Sequence, residues 1–239
     1  MSLIIGTAGW SIPARDAAPL GPGSSALARY ATRFGGVEVN SSFHRPHRRA
    51  TWERWAESVP ASFRFAVKIP KTVSHQARLV ECGGLVARFL DEVGGLGDKL
   101  AILLLQLPPS FAFDSAIVAP FLAGLAGASP ARLVCEPRHP SWFAPMPDAL
   151  LESLGVARVA ADPAILPEAA RPGGWRGLGY WRLHGSPRVY RSSYDDGRLD
   201  LYAALLREER LAGREAWCMF DNTAASAALG DASGLLDRL

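Results

Sequence analysis

The sequence predicts an α/β fold, a single domain over residues 1–239 built as a TIM-like (β/α)8 barrel. The chain of 239 residues has the length of one such barrel. Short runs rich in leucine and β-branched residues alternate with longer segments of helical period, which indicates a parallel sheet. No low-complexity tract or linker divides the chain. An open doubly wound sheet is the alternative fold, although GTAGWSIP lacks the spacing of a dinucleotide-binding turn.

Eight runs have strand character, and most of them end at a turn residue such as Gly, Pro or Asn. Their number predicts closure into a barrel. In order they are LIIGTAGW (3–10), GVEVNSSF (36–43), FRFAVKIP (63–70), KLAILLLQLP (99–108), ARLVCEP (131–137), VARVAAD (156–162), GYWRLHG (179–185) and EAWCMFDN (215–222).

Helical segments are expected between most of these runs, because their apolar residues recur at helical spacing. The connection 163–178 is rich in Pro and Gly and is expected to be irregular. The predicted helices are 24–34, 49–59, 82–93, 114–127, 146–155, 199–213 and 223–239.

The composition indicates an ordinary soluble protein, with 49% hydrophobic and 21% charged residues. The net charge of +3 is too mild to argue for a polyanionic partner. Cys82, Cys135 and Cys218 are odd in number and widely separated, which disfavours a disulfide framework or structural zinc and favours the cytoplasm. The N-terminus does not resemble a secretory signal, and the longest apolar run is too short to span a membrane.

Polar side chains stand at the carboxyl ends of the predicted strands, where the active sites of such barrels lie. Side chains alternate along a strand, so the apolar parity packs under helices and the polar parity faces the barrel mouth. On the fifth strand, Val134, Glu136 and Arg138 have the interior parity, whereas Leu133 and Cys135 face the helices. The strand-end residues that predict a ligand site are Glu38, Asn40, Ser42, Lys68, Gln106, Glu136, Arg138, Asp162, Arg182, His184, Asp221 and Asn222.

The cations of this mouth predict a small anionic ligand. Lys68, Arg138 and Arg182 offer a compact charge and two planar forks suited to carboxylate or phosphate. The alternative is a purely structural network, in which Glu136 pairs with Arg138 or Arg182 and Asp162 pairs with Lys68.

The acid and the histidines of the mouth suggest a hydrolase or lyase. Glu136 is the candidate general acid or base, and His184, with His75 or His139, is the candidate proton relay near neutral pH. GxSxG, GxxxxGK[ST] and HExxH motifs are absent from the sequence. No cofactor is strongly implied.

A metal-dependent enzyme resembling sugar isomerases is a further alternative. Glu136, Asp162, His184 and Asp221 end successive strands and are suitable ligand types. Their spacing is not a local ligand motif, and the neighbouring cations would oppose a divalent ion.

Nucleic acid is the alternative partner. The loops 41–49 and 186–196 combine arginines with Phe43, Tyr190 and Tyr194, side chains that suit phosphates and stacked bases. A phosphodiester-cleaving barrel of the endonuclease IV kind is comparable at the level of fold alone. The sequence leaves the oligomeric state open.

An ordered series of motifs resembles the family known as domain of unknown function 72, the YecE-like proteins. The motifs are GTAGWS (6–11), VEVNSSFHRP (37–46), FAVKIPKTVSH (65–75), LGDKLAILLLQLPPSF (96–111), EPRHPSWF (136–143), YWRLHGS (180–186) and FDNT (220–223).

The resemblance implies a TIM-like barrel of unknown activity. By motif it adds Trp10, Phe43 and Trp142 to the candidate ligand-binding residues and supports His75 and His139. The sequence departs from the family pattern at SIPARDAAPLGPGSS, which is short and without aromatics, so one wall of the site is expected to be more open.

Overall fold

Strands and helices alternate along most of the chain, as the sequence predicts. The computed structural model describes residues 2–239. The strands are β1 (Leu3–Thr7), β2 (Gly36–Val39), β3 (Arg64–Lys68), β4 (Leu100–Gln106), β5 (Arg132–Glu136), β6 (Val156–Arg158), β7 (Ala160–Asp162), β8 (Gly173–Gly174), β9 (Leu178–Leu183) and β10 (Glu215–Phe220). The α-helices are α1 (Ala26–Tyr30), α2 (Ser41–His44), α3 (Arg49–Glu57), α4 (Gly83–Val93), α5 (Ser115–Ala128), α6 (Pro145–Ser153), α7 (Asp196–Leu211) and α8 (Ala228–Leu236).

The strands form two sheets. One has the order β1-β10-β9-β7 and is parallel throughout. The other has the order β2-β3-β4-β5-β6-β8 and is parallel except where β8 runs antiparallel to β6. The predicted α/β class is therefore confirmed, with largely parallel sheets.

The two sheets come together at both pairs of edges. Ala8, just after β1, forms a parallel bridge with Glu38 of β2, and Gly9 N donates to Glu38 O at 2.8 Å. At the other side, β6 and β7 are consecutive and pair with β5 and β9 respectively. These contacts are too few to join the sheets into one ladder, so the strand pairing over residues 2–239 does not show a closed barrel.

Side-chain parity separates two apolar layers, as predicted for β5. Leu133 and Cys135 belong to the larger apolar cluster, together with helix residues such as Leu122 and Leu151. Val134 belongs instead to a second cluster, to which strands of both sheets contribute. Its buried members are Ile4, Ala66, Ile102, Leu104, Val134, Ala157, Val159, Leu178, Tyr180, Trp217 and Met219. We call this second cluster the apolar interior.

The structure corrects two strand boundaries that matter for the site. The predicted strand 36–43 ends at Val39, and residues 41–44 form helix α2, so simple alternation does not place Asn40 and Ser42. The Ser42 hydroxyl turns back to the backbone and donates to the carbonyls of Val39 and Lys68. The predicted run 156–162 is divided, because its two halves pair with different sheets.

The helices are shorter than their sequence patterns at several ends. Asp114 caps α5 and Asp195 caps α7, each by accepting a backbone N–H with its carboxylate. The expected irregular connection 163–178 contains a short 3-10 turn at 167–170 and the two-residue strand β8. No helix within residues 2–239 has the length and apolar character needed to cross a bilayer.

Candidate functional site

Arg182 of β9 lies at the centre of a buried charged cluster above the apolar interior. Its side chain is fully buried and contacts three carboxylates. Nε and Nη2 donate to Glu38 of β2, Nη2 also donates to Asp221 Oδ2 at 2.9 Å, and Nη1 donates to Glu136 Oε2 at 2.6 Å. Because all three guanidinium nitrogens bind carboxylates, Arg182 positions the acids and is not free to hold a ligand. The expected role of Arg182 as an anion ligand is therefore not retained.

Two acids of this cluster, Glu136 and Asp221, have lowered pKa values. Burial raises the pKa of Glu136, but the charges of Arg182, Arg138 and His184 outweigh burial and hold the pKa well below its usual value. Burial likewise opposes ionisation of Asp221, and Arg182 and His184 again lower the pKa. The same carboxylates, with Glu38, raise the pKa of Arg182 against the effect of burial.

His184 bridges two of these acids. Its Nδ1 lies 3.0 Å from Asp221 Oδ2, and its Nε2 lies 3.0 Å from both Glu136 Oε1 and Arg138 Nη2. An imidazolium would donate to both carboxylates, whereas a neutral ring with its proton on Nδ1 would accept from Arg138 at Nε2. Both ring nitrogens of His184 therefore have hydrogen-bonding partners within the cluster.

Arg138 lies at the outer side of the cluster. Its Nε donates to Glu136 Oε1 at 2.9 Å, and its side chain is 24% exposed. Gln106 Nε2 donates to the other oxygen of Glu136 at 2.8 Å. The predicted pairing of Glu136 with Arg138 and Arg182 is confirmed in both of its forms.

Lys68, at the end of β3, differs from the arginines because Nζ has no hydrogen-bond or ion-pair partner among residues 2–239. The residue is 8% exposed, and Nζ lies 4.0 Å from the centroid of the Phe43 ring. Burial and the charge of Arg182 lower the pKa of Lys68 to about 8, although nearby acids act in the opposite direction. His75 packs edge-on against the same Phe43 ring at 4.9 Å, and burial and the Lys68 charge lower its pKa.

The loop after β9 brings Tyr190 to the mouth. Its ring packs edge-on against His184 with 5.7 Å between centroids, and the residue is 41% exposed. Its backbone N–H donates to His184 O, and its φ of 65° is unusual for a residue other than glycine. Tyr190 is thus an aromatic group at the mouth that is open to solvent.

Tyr194 and Asn222 hold this loop in place. Tyr194 is buried, and its hydroxyl donates to Asp162 Oδ2 at 2.6 Å while accepting from Gly185 N. Asn222 Nδ2 donates to Ser192 O and to Asp231 Oδ2. Both residues therefore shape the site from outside the charged cluster.

Asp162 does not pair with Lys68, which corrects the expected network. Its carboxylate accepts hydrogen bonds from Arg198 of α7, at 2.5 Å, and from Tyr194. β7 is an edge strand of the sheet β1-β10-β9-β7, whereas Lys68 ends β3 in the other sheet. From the end of β7, Asp162 contacts α7.

The remaining candidates lie around the cluster or behind it. Asn40 Nδ2 donates to Asp221 Oδ1 at 3.3 Å, and its buried Oδ1 has no partner within residues 2–239. Trp142 is fully buried and donates to Phe111 O, so it packs behind the site. His139 accepts from Ser141 N and caps a 3-10 turn at 140–143. Trp10 packs edge-on against Trp55 of α3.

Sequence reasoning missed Tyr180, whose hydroxyl donates to Glu38 Oε2 at 2.8 Å. Burial and the charge of Glu38 raise its pKa well above the usual value, so it remains a hydrogen-bond donor. Tyr180 lies two residues before Arg182 on β9, so the two side chains point to the same face of the strand. This alternation was the signal available in the sequence.

Metal binding gains no geometric support. Within the described chain, residues 2–239, no group of three or more His, Cys, Asp or Glu side chains is arranged to hold an ion. Of the carboxylates that were candidate ligands, Glu136 and Asp221 bind the Arg182 guanidinium. Asp162 binds Arg198 instead.

Comparisons with known proteins agree on one family. The sequence model described as "Protein of unknown function DUF72" matches residues 4–239. Two curated relatives, UPF0759 protein YecE from two strains of Escherichia coli, are 34% and 32% identical over 156 and 155 residues. Each match covers 63% of this chain and 56% of the relative, so the chain spans just over half the length of these relatives.

Solved structures show the same fold. A DUF72 family protein from Enterococcus faecalis has a TM-score of 0.82 at 18% identity, covering 100% of this chain and 95% of that protein. A DUF72 family protein from Thermotoga maritima has a TM-score of 0.79 at 22% identity, covering 99% and 98%. With the family model matching nearly every residue, the sequence and the fold together establish that this chain belongs to the DUF72 family.

Proposed function

We propose that the protein binds a small anionic ligand, phosphorylated or carboxylated, at the carboxyl ends of its strands and acts on it as a lyase or hydrolase. The observation that carries the proposal is the state of Lys68, which is almost buried and unpaired among residues 2–239 although three carboxylates belong to the same cluster. Those carboxylates accept hydrogen bonds from Arg182, whereas Lys68 has no ion-pair partner within residues 2–239, so the unpartnered group at the mouth is a cation.

The proposal includes the architecture that creates this mouth. We take the two sheets as halves of one TIM-like barrel domain over residues 1–239. Support comes from the Ala8 to Glu38 bridge and from Arg182, which links its own sheet to Glu38 and Glu136 of the other. Side chains from both sheets that meet at one guanidinium support an interior shared by the two sheets.

The hydrogen-bond donors without a partner at the mouth determine which acceptor groups of a ligand can bind there. Besides Lys68, Arg138 has its Nη1 uncommitted in residues 2–239 and is partly exposed. Tyr190 and the second ring nitrogen of His75 are further groups near the cluster that a ligand can reach. A carboxylate or phosphate would accept charge-assisted hydrogen bonds from Lys68 and Arg138.

The roles in the reaction follow from the contacts. Glu136 has a low pKa and four hydrogen-bonding partners, so it orients Arg138 and His184 and is a poor proton donor. His184, between two carboxylates and beside the exposed Tyr190, is the better proton relay.

Calorimetric titration with inorganic phosphate and with acetate tests the binding proposal. Arg138→Gln should weaken anion binding by about ten- to a hundredfold, because a charge-assisted hydrogen bond contributes about 1.5–3 kcal/mol. Arg210→Gln, an exposed position on α7, is the matched control and should bind as the unchanged protein does. Equal affinities for the unchanged protein and Arg138→Gln, or no binding of either anion, would refute the proposal.

Binding of single-stranded nucleic acid is a second candidate, favoured by the exposed Tyr190 ring between the arginines of loop 186–196. Stacking on Tyr190 and phosphate contacts from Arg188 and Arg191 predict affinity for oligonucleotides that falls steeply with salt. Absent or salt-insensitive binding in a fluorescence anisotropy titration would exclude this candidate.

A further inference from the structure

Lys68 is chemically exceptional in this chain. The sequence has 23 arginines and only three lysines, Lys68, Lys71 and Lys99. Lys99 uses its ammonium to donate to the carbonyls of Ala56 and Val59, which is a structural role. Lys71 is half-buried and lies outside the charged cluster. An arginine at position 68 would supply charge equally well, so a primary amine at this position suggests chemistry that a guanidinium cannot perform.

The surroundings of Lys68 favour a reactive amine. The Phe43 ring covers Nζ on one side, and Nζ lies more than 4.0 Å from every carboxylate oxygen of residues 2–239, because it forms no ion pair there. Glu38, Glu136 and Asp221 are instead bound to Arg182. A nearly buried amine without a carboxylate partner releases its proton more readily than an exposed lysine does.

The charged groups near Lys68 have opposing effects on its pKa. Burial and Arg182 disfavour the ammonium, whereas Glu136, Glu38 and Asp221 favour it, and the net effect lowers the pKa to about 8. His75, on the other side of Phe43, has a lowered pKa through burial and Lys68 itself. A substantial neutral fraction of Lys68 is therefore present slightly above neutral pH.

We infer that Lys68 is a nucleophile that forms a Schiff base with the carbonyl group of a small anionic oxo compound, an inference that rests on the proposed anion site. In such a compound the carboxylate or phosphate would bind Arg138 while the carbonyl carbon meets Nζ. The substrate class is accordingly a 2-oxo acid or an aldehyde phosphate, which share a carbonyl group close to an anionic group.

The step is balanced without a further reactant. The Nζ lone pair forms a bond to the carbonyl carbon, the C–O π bond breaks, and the oxygen takes a proton to give a carbinolamine. The C–O bond then breaks, and the oxygen leaves as water with the two hydrogens that the amine has lost. Protonation of the imine gives an iminium that accepts the electron pair of a breaking C–C or C–H bond, which is lyase chemistry. His75 and His184 are the groups of the mouth that move protons in these steps.

Reductive trapping tests the inference. Glyoxylate and sodium borohydride are added to the purified full chain, and peptides are mapped by mass spectrometry. A Schiff base at Lys68 is reduced to carboxymethyl-lysine, and we expect it to exceed labelling at Lys71 by about tenfold or more at neutral pH, because more of Lys68 is neutral. Labelling at Lys68 should increase as pH rises through 8. Glycolaldehyde, which has a similar size but no charge, should label Lys68 less than glyoxylate does.

Two variants serve as controls. Lys68→Arg keeps the positive charge over Phe43 but cannot form a Schiff base, so it should lose the adduct, with its fold checked by circular dichroism and its urea midpoint. Lys71→Arg should retain the adduct at Lys68.

Other outcomes would contradict the Schiff base, the anion site or the substrate class. Equal labelling of Lys68 and Lys71, or no adduct at Lys68 between pH 6 and 10, overturns the inference. If calorimetry still shows that glyoxylate and phosphate bind, the proposed anion site stands and only the Schiff base fails. If neither anion binds and no adduct forms, both fail. Equal labelling by glycolaldehyde and glyoxylate overturns the substrate class.

Discussion

Two levels of the same interior differ in chemistry although they share strands, parity and burial. On β5, Val134 is 0% exposed in the apolar interior, and Glu136, two residues later, is 1% exposed in the charged cluster. The same step leads from Ala66 to Lys68 on β3. An advance of two residues along a strand therefore leads from an apolar packing layer to a layer of buried charge.

The two layers are expected to contribute differently to the free energy of unfolding. The apolar interior is stabilised by burial, at roughly 25 cal/mol per Å² of apolar surface, and this requires no directional contacts. A buried ion-pair network contributes little net stability compared with apolar packing, because desolvation offsets the attraction between the charges. A charged layer built around Arg182 is therefore better explained by the arrangement it imposes on Arg138, His184 and Lys68 than by stability.

Arg182→Met should produce the largest effect. Removing the guanidinium leaves Glu38 without an ion-pair partner among residues 2–239 and takes one ion pair each from Glu136 and Asp221. The free energy of unfolding should therefore fall by about 3–5 kcal/mol at neutral pH. Glu136 and Asp221 have lowered pKa values in the folded protein, so their contribution is present above the unfolded pKa values and is lost as pH falls. The difference in the free energy of unfolding between the unchanged protein and the variant should therefore become smaller towards pH 4, as measured by urea titrations.

Arg210→Met on the exposed face of α7 is the control and should change the free energy of unfolding by less than about 0.5 kcal/mol. A gap for Arg182→Met that stayed constant from pH 7 to pH 4 would show that the lost contribution is packing and not charge pairing.

Leu104→Ala tests the apolar layer, because Leu104 is fully buried in the apolar interior on β4. The cavity should lower the free energy of unfolding by about 3 kcal/mol. Unlike Arg182→Met, this change should not depend on pH between 4 and 7, since no titratable group is removed. A strong pH dependence would mean that the two layers are energetically coupled.

Lys68→Met should have the smallest effect and the opposite dependence on pH. The pKa of Lys68 is lowered to about 8 by folding, from an ordinary value of 10.5. Below pH 8, Lys68 is protonated in both the folded and the unfolded chain, and folding carries the penalty of burying an ammonium. Between pH 8 and 10.5, Lys68 binds more protons in the unfolded chain, so the free energy of unfolding rises with pH. Relative to Lys68→Met, the unchanged protein should gain about 2 kcal/mol between pH 7 and 9.5.

Comparing the two proteins at each pH removes the contributions of tyrosines and cysteines, which titrate in both. Lys71→Met, at a half-buried position outside the cluster, should show no such gain. A flat difference between the unchanged protein and Lys68→Met would contradict the lowered pKa of Lys68, on which its reactivity as an amine depends.

Local pattern was sufficient to predict most of the fold and part of the site. The α/β class, the order of the elements and the parity of Val134 and Glu136 follow from hydrophobic periodicity, because alternation along a strand is a local property. The pairing of Glu136 with Arg138 or Arg182 was an alternative that the sequence left open, and the structure contains both pairs. Asn40 contacts Asp221 at the mouth, as a strand-end position predicts. Ser42 does not follow the alternation, because residues 41–44 form α2 and its hydroxyl donates to the backbone, once to Lys68 on the next strand.

The sequence by itself determined which residues are buried strand ends and which of them carry charge, since both depend on residue type and on a period of two. Only the tertiary structure decided which acid each cation meets. Asp162 pairs with Arg198 and not with Lys68, and Arg182 binds the acids of three strands. These choices depend on distances between strands and helices far apart in the chain, and Coulomb energy varies with such distances. The unpaired state of Lys68 is their consequence.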